Sequence, residues 1–276
     1  MQRERAYLVA AGSCVGYIFL RLLLDGVLTV ESIGIVLSLS AGLAVPLGVA
    51  FGVPGVIGLA LGAFLLGILS GALSVSLLFY NLSVVLLAYF SHLLYRYGIG
   101  SGIAPDQRPV RAVGRFAFVA AIACSGSAAF LAFAYQIAGI TPFYITVTFA
   151  FLEFVVATAV VAPVIGLAVV SSEQVSATRV SSTQDDALSP RSRWSLVVVP
   201  PLWLVTGFIG SIGFKLRERV SREGFQNFNA EFLYHAVHPD LFGQGGRRAQ
   251  VLLGVLALIV IVASTRTLDR QDGGAR

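Results

Sequence analysis

The sequence predicts an all-α protein, a polytopic membrane helical bundle, and three observations carry that prediction. The first is charge: 12% of the 276 residues are charged and 57% are hydrophobic, whereas a soluble domain carries about 25% charged residues. The second is distribution, because the Arg, Asp and Glu collect between long uncharged runs. The third is length, since those runs approach the ~20 apolar residues a helix needs to cross the hydrocarbon core.

In chain order the predicted spans are 6–24, 33–51, 54–70, 73–94, 116–138, 142–170, 195–214 and 249–264. The first, in "MQRERAYLVAAGSCVGYIFLRLLLDG", has the basic start and apolar run of a signal peptide. Arg21 and Asp25 stand where a small-residue cleavage site belongs, so it reads as a retained span. Cys14 and Cys124 both fall inside apolar segments and read as small buried residues, not as a disulfide pair or metal ligands. The hydrophilic "SSEQVSATRVSSTQDDALSPRSR" reads as a flexible linker, because it cannot bury enough apolar surface to offset the entropy of ordering. The chain therefore divides into a six-span core (1–171), a linker (172–194), and a C-terminal hydrophobic pair with an intervening basic loop (195–276). Pro200 and Pro201 interrupt the seventh segment, and proline inside a helix kinks or breaks it. That segment is either a full span or a re-entrant or interfacial element, with Trp194 and Trp203 as interface anchors.

Orientation follows from arginine bias in short loops. Arg3 and Arg5 precede the first span, Arg96, Arg108, Arg111 and Arg115 follow the fourth, and Arg179, Arg191 and Arg193 follow the sixth. A cytoplasmic N-terminus puts all of them inside. The basic loop from Lys215 to Arg248 then falls outside if the seventh segment spans. A net charge of +5 concentrated in such loops points to a membrane surface, not to nucleic acid.

Eight of the 29 glycines lie between residues 42 and 71. Gly48–Gly52, Gly58–Gly62 and Gly67–Gly71 are spaced by four, a pattern that lets neighbouring helices approach backbone to backbone. Within lipid the helix persists despite glycine, because the backbone has no other partner. Gly52-Val-Pro-Gly55 supplies a tight turn between the second and third spans.

The run "LAVPLGVAFGVPGVIGLALGAFLLGILSG", a short break, and then "SLLFYNLSVVLLAYFSHLLYRYG" before a basic loop resemble the middle of the substrate-binding S components of energy-coupling-factor transporters. The sixth span, "TPFYITVTFAFLEFVVATAVVAPVIGLAV", is similar to their last core helix. The resemblance covers about residues 1–171 and implies capture of a small molecule, with energy from a separate ATPase and a coupling membrane subunit. It also assigns Ala6 and Ala10, an Ala-x-x-x-Ala step, to docking of that coupling module. Two departures stand out: "GILSGALS" lacks the acidic residue relatives often carry, and the C-terminal pair has no counterpart.

Polar side chains within spans are costly and need a partner or a purpose. With the N-terminus inside, Arg21 lies near the outer end of the first span, and Tyr135 and Gln136 near that of the fifth. At 1.5 Å per residue, Tyr80 and Asn81 lie about 10–13 Å inward on the fourth, and Glu153 about 17 Å along the sixth, with Thr146 on its face. Glu153, Asn81, Tyr80, Gln136 and Arg21 are thus the candidates for an outward-facing small-molecule pocket, Glu153 receiving a cationic or hydrogen-bonding group. No cofactor and no catalytic residue is expected. Glu231, His235, His238 and Asp240 form the only pattern that hints at a metal, and a solvated helix face explains it better. No glycine-rich loop ending in Gly-Lys-Ser/Thr is present to bind nucleotide. A membrane-embedded sensory or scaffolding protein is the alternative to transport.

Overall fold

The computed structural model describes residues 2–25, 29–30, 35–36, 38–71, 74–98, 109–141, 143–170, 194–207 and 251–264. Its helices are α1 (Gln2–Asp25), α2 (Ala44–Leu69), α3 (Val75–Leu93), α4 (Pro109–Ile137) and α5 (Phe143–Val170), followed by the shorter α6 (Trp194–Gly207) and α7 (Val251–Ser264). Five helices are long and apolar enough to cross a membrane, so the chain is an integral membrane protein of all-α class. The one extended feature among the described residues is a two-residue ladder, β1 (Thr29–Val30) with β2 (Ile35–Val36), antiparallel with Thr29 opposite Val36. It corrects the expected helix start at 33: β-branched Ile35 and Val36 pair as strand, and helical backbone begins with the 3₁₀ turn Leu39–Leu43.

The apolar run Leu39–Leu69 would measure about 46 Å as one straight helix, well beyond the ~30 Å hydrocarbon core. It does not run straight. Gly52 adopts φ 60°, ψ −142° inside α2, and a Cβ on Gly55 would stand 2.6 Å from the Leu47 carbonyl oxygen. Residues 44–51 and 53–69 are therefore two arms that fold back on each other at Gly52. A residue with a Cβ would be strained at that φ, and the His92 ring, 3.0 Å from where that Cβ would sit, closes the space as well.

The arms pack by glycine against carbonyl. A Cβ at Gly48 would collide with the Ala88 carbonyl of α3, one at Gly42 with the Ala157 carbonyl of α5, and one at Gly58 with the Ala10 carbonyl of α1. Gly62 would meet the Cys14 carbonyl oxygen at 2.9 Å. Close backbone approach of this kind is how apolar helices gain contact in lipid, where hydrophobic burial supplies no drive. Gly67 is buried within α2. Gly71 differs from the expected packing role: it turns the chain at φ 64° with nothing within 4 Å, because α2 has already ended at Leu69.

These contacts set directions. The second arm of α2 runs beside α1 in the same sense, α3 returns antiparallel to it, and α4 and α5 alternate after it. One end of the bundle thus holds the start of α1, Gly52, His92 and Arg96. The other holds Arg21, the start of α3, Tyr135 and the start of α5. The helix of residues 109–137 reaches further back than the expected 116–138, so Arg111 and Arg115 belong to its first turns and not to a loop. Arg108, Arg179, Arg191 and Arg193 lie outside the described residues.

Both short helices pack on α4. Pro200 stands 3.0 Å from where a Gly126 Cβ would be, Gly254 faces the Phe133 ring, and Gly207 faces Phe143. The expected break at Pro200 and Pro201 is absent: α6 is helical through both, and Pro200 is buried where Gly126 leaves room for it. Trp203 is not an interface anchor but a core residue, 4% exposed, edge-on to Phe133 with centroids 5.7 Å apart. Trp194 remains exposed. Ser195 and Ser264 share a hydrogen bond between hydroxyls, so α7 runs antiparallel to α6. Each of these two helices spans about 21 Å over its described length.

Candidate functional site

The end opposite Gly52 gathers the polar side chains. On α1, Arg21 follows Tyr17 by one helical turn, so both point the same way. The Arg21 guanidinium donates from Nη1 to the Tyr17 hydroxyl at 3.1 Å and to Asn81 Oδ1 of α3, also at 3.1 Å. Its carbon lies 6.0 Å from the Tyr17 ring centroid, within reach of a cation–π attraction. Asn81 is 1% exposed, and its Nδ2 donates to the Ala63 carbonyl of α2 at 3.1 Å. One amide thus binds the guanidinium of α1 and the backbone of the second α2 arm.

The neighbouring residue makes the second half of the cluster. Tyr80 donates its hydroxyl to Glu153 Oε1 of α5 at 2.7 Å, and the Ser38 backbone N–H donates to the same oxygen at 3.1 Å. Ser38 precedes the 3₁₀ turn that leads into the first α2 arm, and its hydroxyl is 2.7 Å from that of the buried Ser40. The Tyr80 ring lies 6.2 Å from that of Phe154. Glu153 therefore ties α3 and the first arm to α5, as Asn81 ties α1 and the second arm to α3. Within the apolar spans Arg21 and Glu153 are the described charged residues at this end, and Asp25 follows Arg21 by one helical turn at the close of α1; Arg96 and Arg115 stand at the opposite end.

Four of the five predicted pocket residues come together here: Arg21, Tyr80, Asn81 and Glu153. Gln136 does not join them. Its side-chain oxygen accepts a hydrogen bond from the Phe143 N–H, one of the first-turn donors of α5 that have no partner inside the helix. Tyr135 is likewise engaged elsewhere, donating to the Ser76 carbonyl at 3.0 Å. Thr146 pairs with the Thr141 hydroxyl. Tyr17 and Ser38 are the participants that sequence reasoning missed. The four-residue spacing from Tyr17 to Arg21 was a usable signal; a backbone donor such as Ser38 N–H leaves none.

The Ala6–Ala10 step, assigned by resemblance to an outside partner, is engaged within the chain at Ala10, whose carbonyl faces Gly58. Exposed on α1 instead are Tyr7, Leu8, Val15, Phe19 and Leu22. Among the described residues no group of three potential metal ligands occurs, and Cys14 and Cys124 are free thiols. Lys215, Glu231, His235, His238 and Asp240 lie outside the described residues. Compared with family models, curated proteins and solved structures, the chain shows no match.

Proposed function

We propose that this membrane protein captures a small polar molecule at the Arg21–Tyr80–Asn81–Glu153 cluster, as the substrate-binding subunit of a transporter powered by a separate ATPase. The observation that supports the reading is convergence: α1, α3 and α5 bring a guanidinium, a carboxylate, an amide and two phenols to one end of the bundle. Polar groups are costly in a span, and a binding site is a reason to assemble them. The arginine bias puts this end outside and the N-terminus in the cytoplasm. Energy comes from a partner ATPase and its coupling membrane subunit.

The test is ligand retention. Detergent-purified protein is extracted and its small molecules identified, then the same is done for Glu153→Gln. Loss of the retained molecule in the variant supports the site, and equal retention removes Glu153 from it. Copurification of an ATPase with a second membrane subunit supports transport.

One observation favours a second reading. Asn81 uses both its oxygen and its nitrogen inside the protein, which suits a structural clasp in a sensory or scaffolding protein. A purified protein that holds no small molecule, together with a stable partner other than an ATPase, would select that reading.

A further inference from the structure

We infer that α6 and α7 form a transmembrane hairpin that enters the bilayer from the Gly52 end and returns to it, so that the stretch joining them emerges on the same side as the Arg21–Glu153 cluster. The inference does not depend on whether the cluster binds a ligand. It gives the C-terminal pair, which has no part in the proposed site, its place in the membrane.

Depth is the first argument. The two helices pack on α4, whose apolar run covers Val113–Ile137, so Gly126 marks the middle of that run. Pro200 of α6 stands 3.0 Å from where a Gly126 Cβ would be, level with the bilayer midplane. About 10 Å further along α6, Gly207 faces Phe143, the first residue of α5, at the end that holds the cluster. In the other direction Ser195 lies about 7 Å from Pro200, where it meets Ser264. The return is made by α7: Gly254 faces the Phe133 ring on the cluster side of Gly126, and Ser264 follows about 15 Å later beside Ser195. Both helices therefore cross the midplane, in opposite directions. A re-entrant element turns back near the midplane, and the step that would serve for such a turn, Pro200–Pro201, lies within continuous helix.

The second argument is the surface of the helices. Neither Trp194–Gly207 nor Val251–Ser264 contains a charged residue. On α6, Leu196, Trp203 and Leu204 are buried in the core, while Val198, Leu202 and Val205 are exposed. A helix lying in the interface keeps a charged or polar face toward water, whereas one that is apolar on every side is surrounded by protein and hydrocarbon.

The inference runs against local charge. The joining stretch carries Lys215, Arg217, Arg219, Arg222, Arg247 and Arg248, and arginine bias applied to it alone would set it on the side of Arg96 and Arg115. Packing decides otherwise, because an inverted or shallow hairpin loses the matches of proline and ring to glycine along α4.

The experiment is thiol labelling of the full-length protein in sealed membranes, with Cys14 and Cys124 replaced and an impermeant maleimide added to one face at a time. Single cysteines at Val53 and Ser70 define the two faces. Ser221→Cys and Asn227→Cys should label from the Ser70 face and not from the Val53 face, and Ser182→Cys and Gly274→Cys should do the reverse. Labelling of Ser221→Cys and Asn227→Cys from the Val53 face, or from both faces, overturns the hairpin. So does a thiol at these positions that reacts only after detergent is added, since the joining stretch would then not emerge. A second readout uses residues within α6. Spin labels at the exposed Trp194 and Leu202 report depth through the ratio of collisions with oxygen and with a water-soluble nickel complex, and Leu202 should be the deeper. Equal depth would lay α6 along the surface and overturn the inference as well. Neither readout involves a ligand, so failure here leaves the binding-site reading to its own test.

Discussion

Tyr80 donates its hydroxyl to Glu153 at 2.7 Å, joining α3 to α5 across the end of the bundle opposite Gly52. The adjacent Asn81 reaches the other way, to Arg21 of α1 and Ala63 of α2. Two consecutive residues of one helix thus hold both arms of the glycine hairpin, the first through Ser38 and Glu153, the second through Ala63.

Tyr80→Phe removes the hydroxyl and keeps the ring. Interhelical hydrogen bonds in membrane proteins contribute about 1 kcal/mol, so the variant should be destabilised by roughly that amount and remain folded. Denaturant-driven unfolding in mixed micelles measures it. A change indistinguishable from zero would show that the Tyr80–Glu153 bond contributes nothing to stability.

Gly48→Ala and Gly12→Ala separate packing from propensity. At Gly48 the new methyl meets a backbone carbonyl that cannot rotate away, and overpacking should cost at least about 2 kcal/mol. At Gly12 nothing lies within 4 Å, so the better helix former should be neutral or stabilise by up to about 1 kcal/mol. Folded yield and thermal midpoint of the two variants, measured side by side, provide the check.

The reversal at Gly52 predicts sidedness. Single cysteines at Glu4 and Val53 should react with an impermeant thiol reagent from one face of the membrane, and those at Ser70 and Ala138 from the other, in a background with Cys14 and Cys124 replaced by serine or alanine. If Val53 and Ser70 label from the same face, the hairpin is wrong. Should Ser70 and Ala138 label only from the cytoplasm, the hairpin survives and the proposed cluster faces the wrong compartment.

The hydroxyls of Ser195 and Ser264 are in hydrogen-bond contact, which brings the start of α6 to the end of α7. A Ser195→Cys, Ser264→Cys double variant should cross-link under mild oxidation, within the geometric tolerance of a disulfide. Adding Gly254→Val, which drives a branched side chain into Phe133, should slow that cross-link by prising α7 from α4. An unchanged rate would mean that α7 is held by something other than its glycine.

Much of this molecule was legible in one dimension. Charge deficit and the length of apolar runs report transfer from water to lipid, a property each segment carries by itself, and they place the chain in the membrane. The turn at Gly52 was also readable, because a Gly-x-Pro-Gly step between two apolar runs answers a local need for positive φ. So was the polar content of the cluster, since Arg21, Tyr80, Asn81 and Glu153 stand out against apolar neighbours. What the line of residues leaves undecided is how far each helix is rotated about its axis. That rotation sends Gln136 and Tyr135 to other helix ends, brings Tyr17 and Ser38 to the charges, covers Ala10 with Gly58 and buries Trp203 against Phe133. It is set by the fit of each glycine to a carbonyl on a distant segment, such as Gly48 to Ala88 or Gly42 to Ala157. No local pattern encodes such a pairing, because both partners have to be placed before either contact exists.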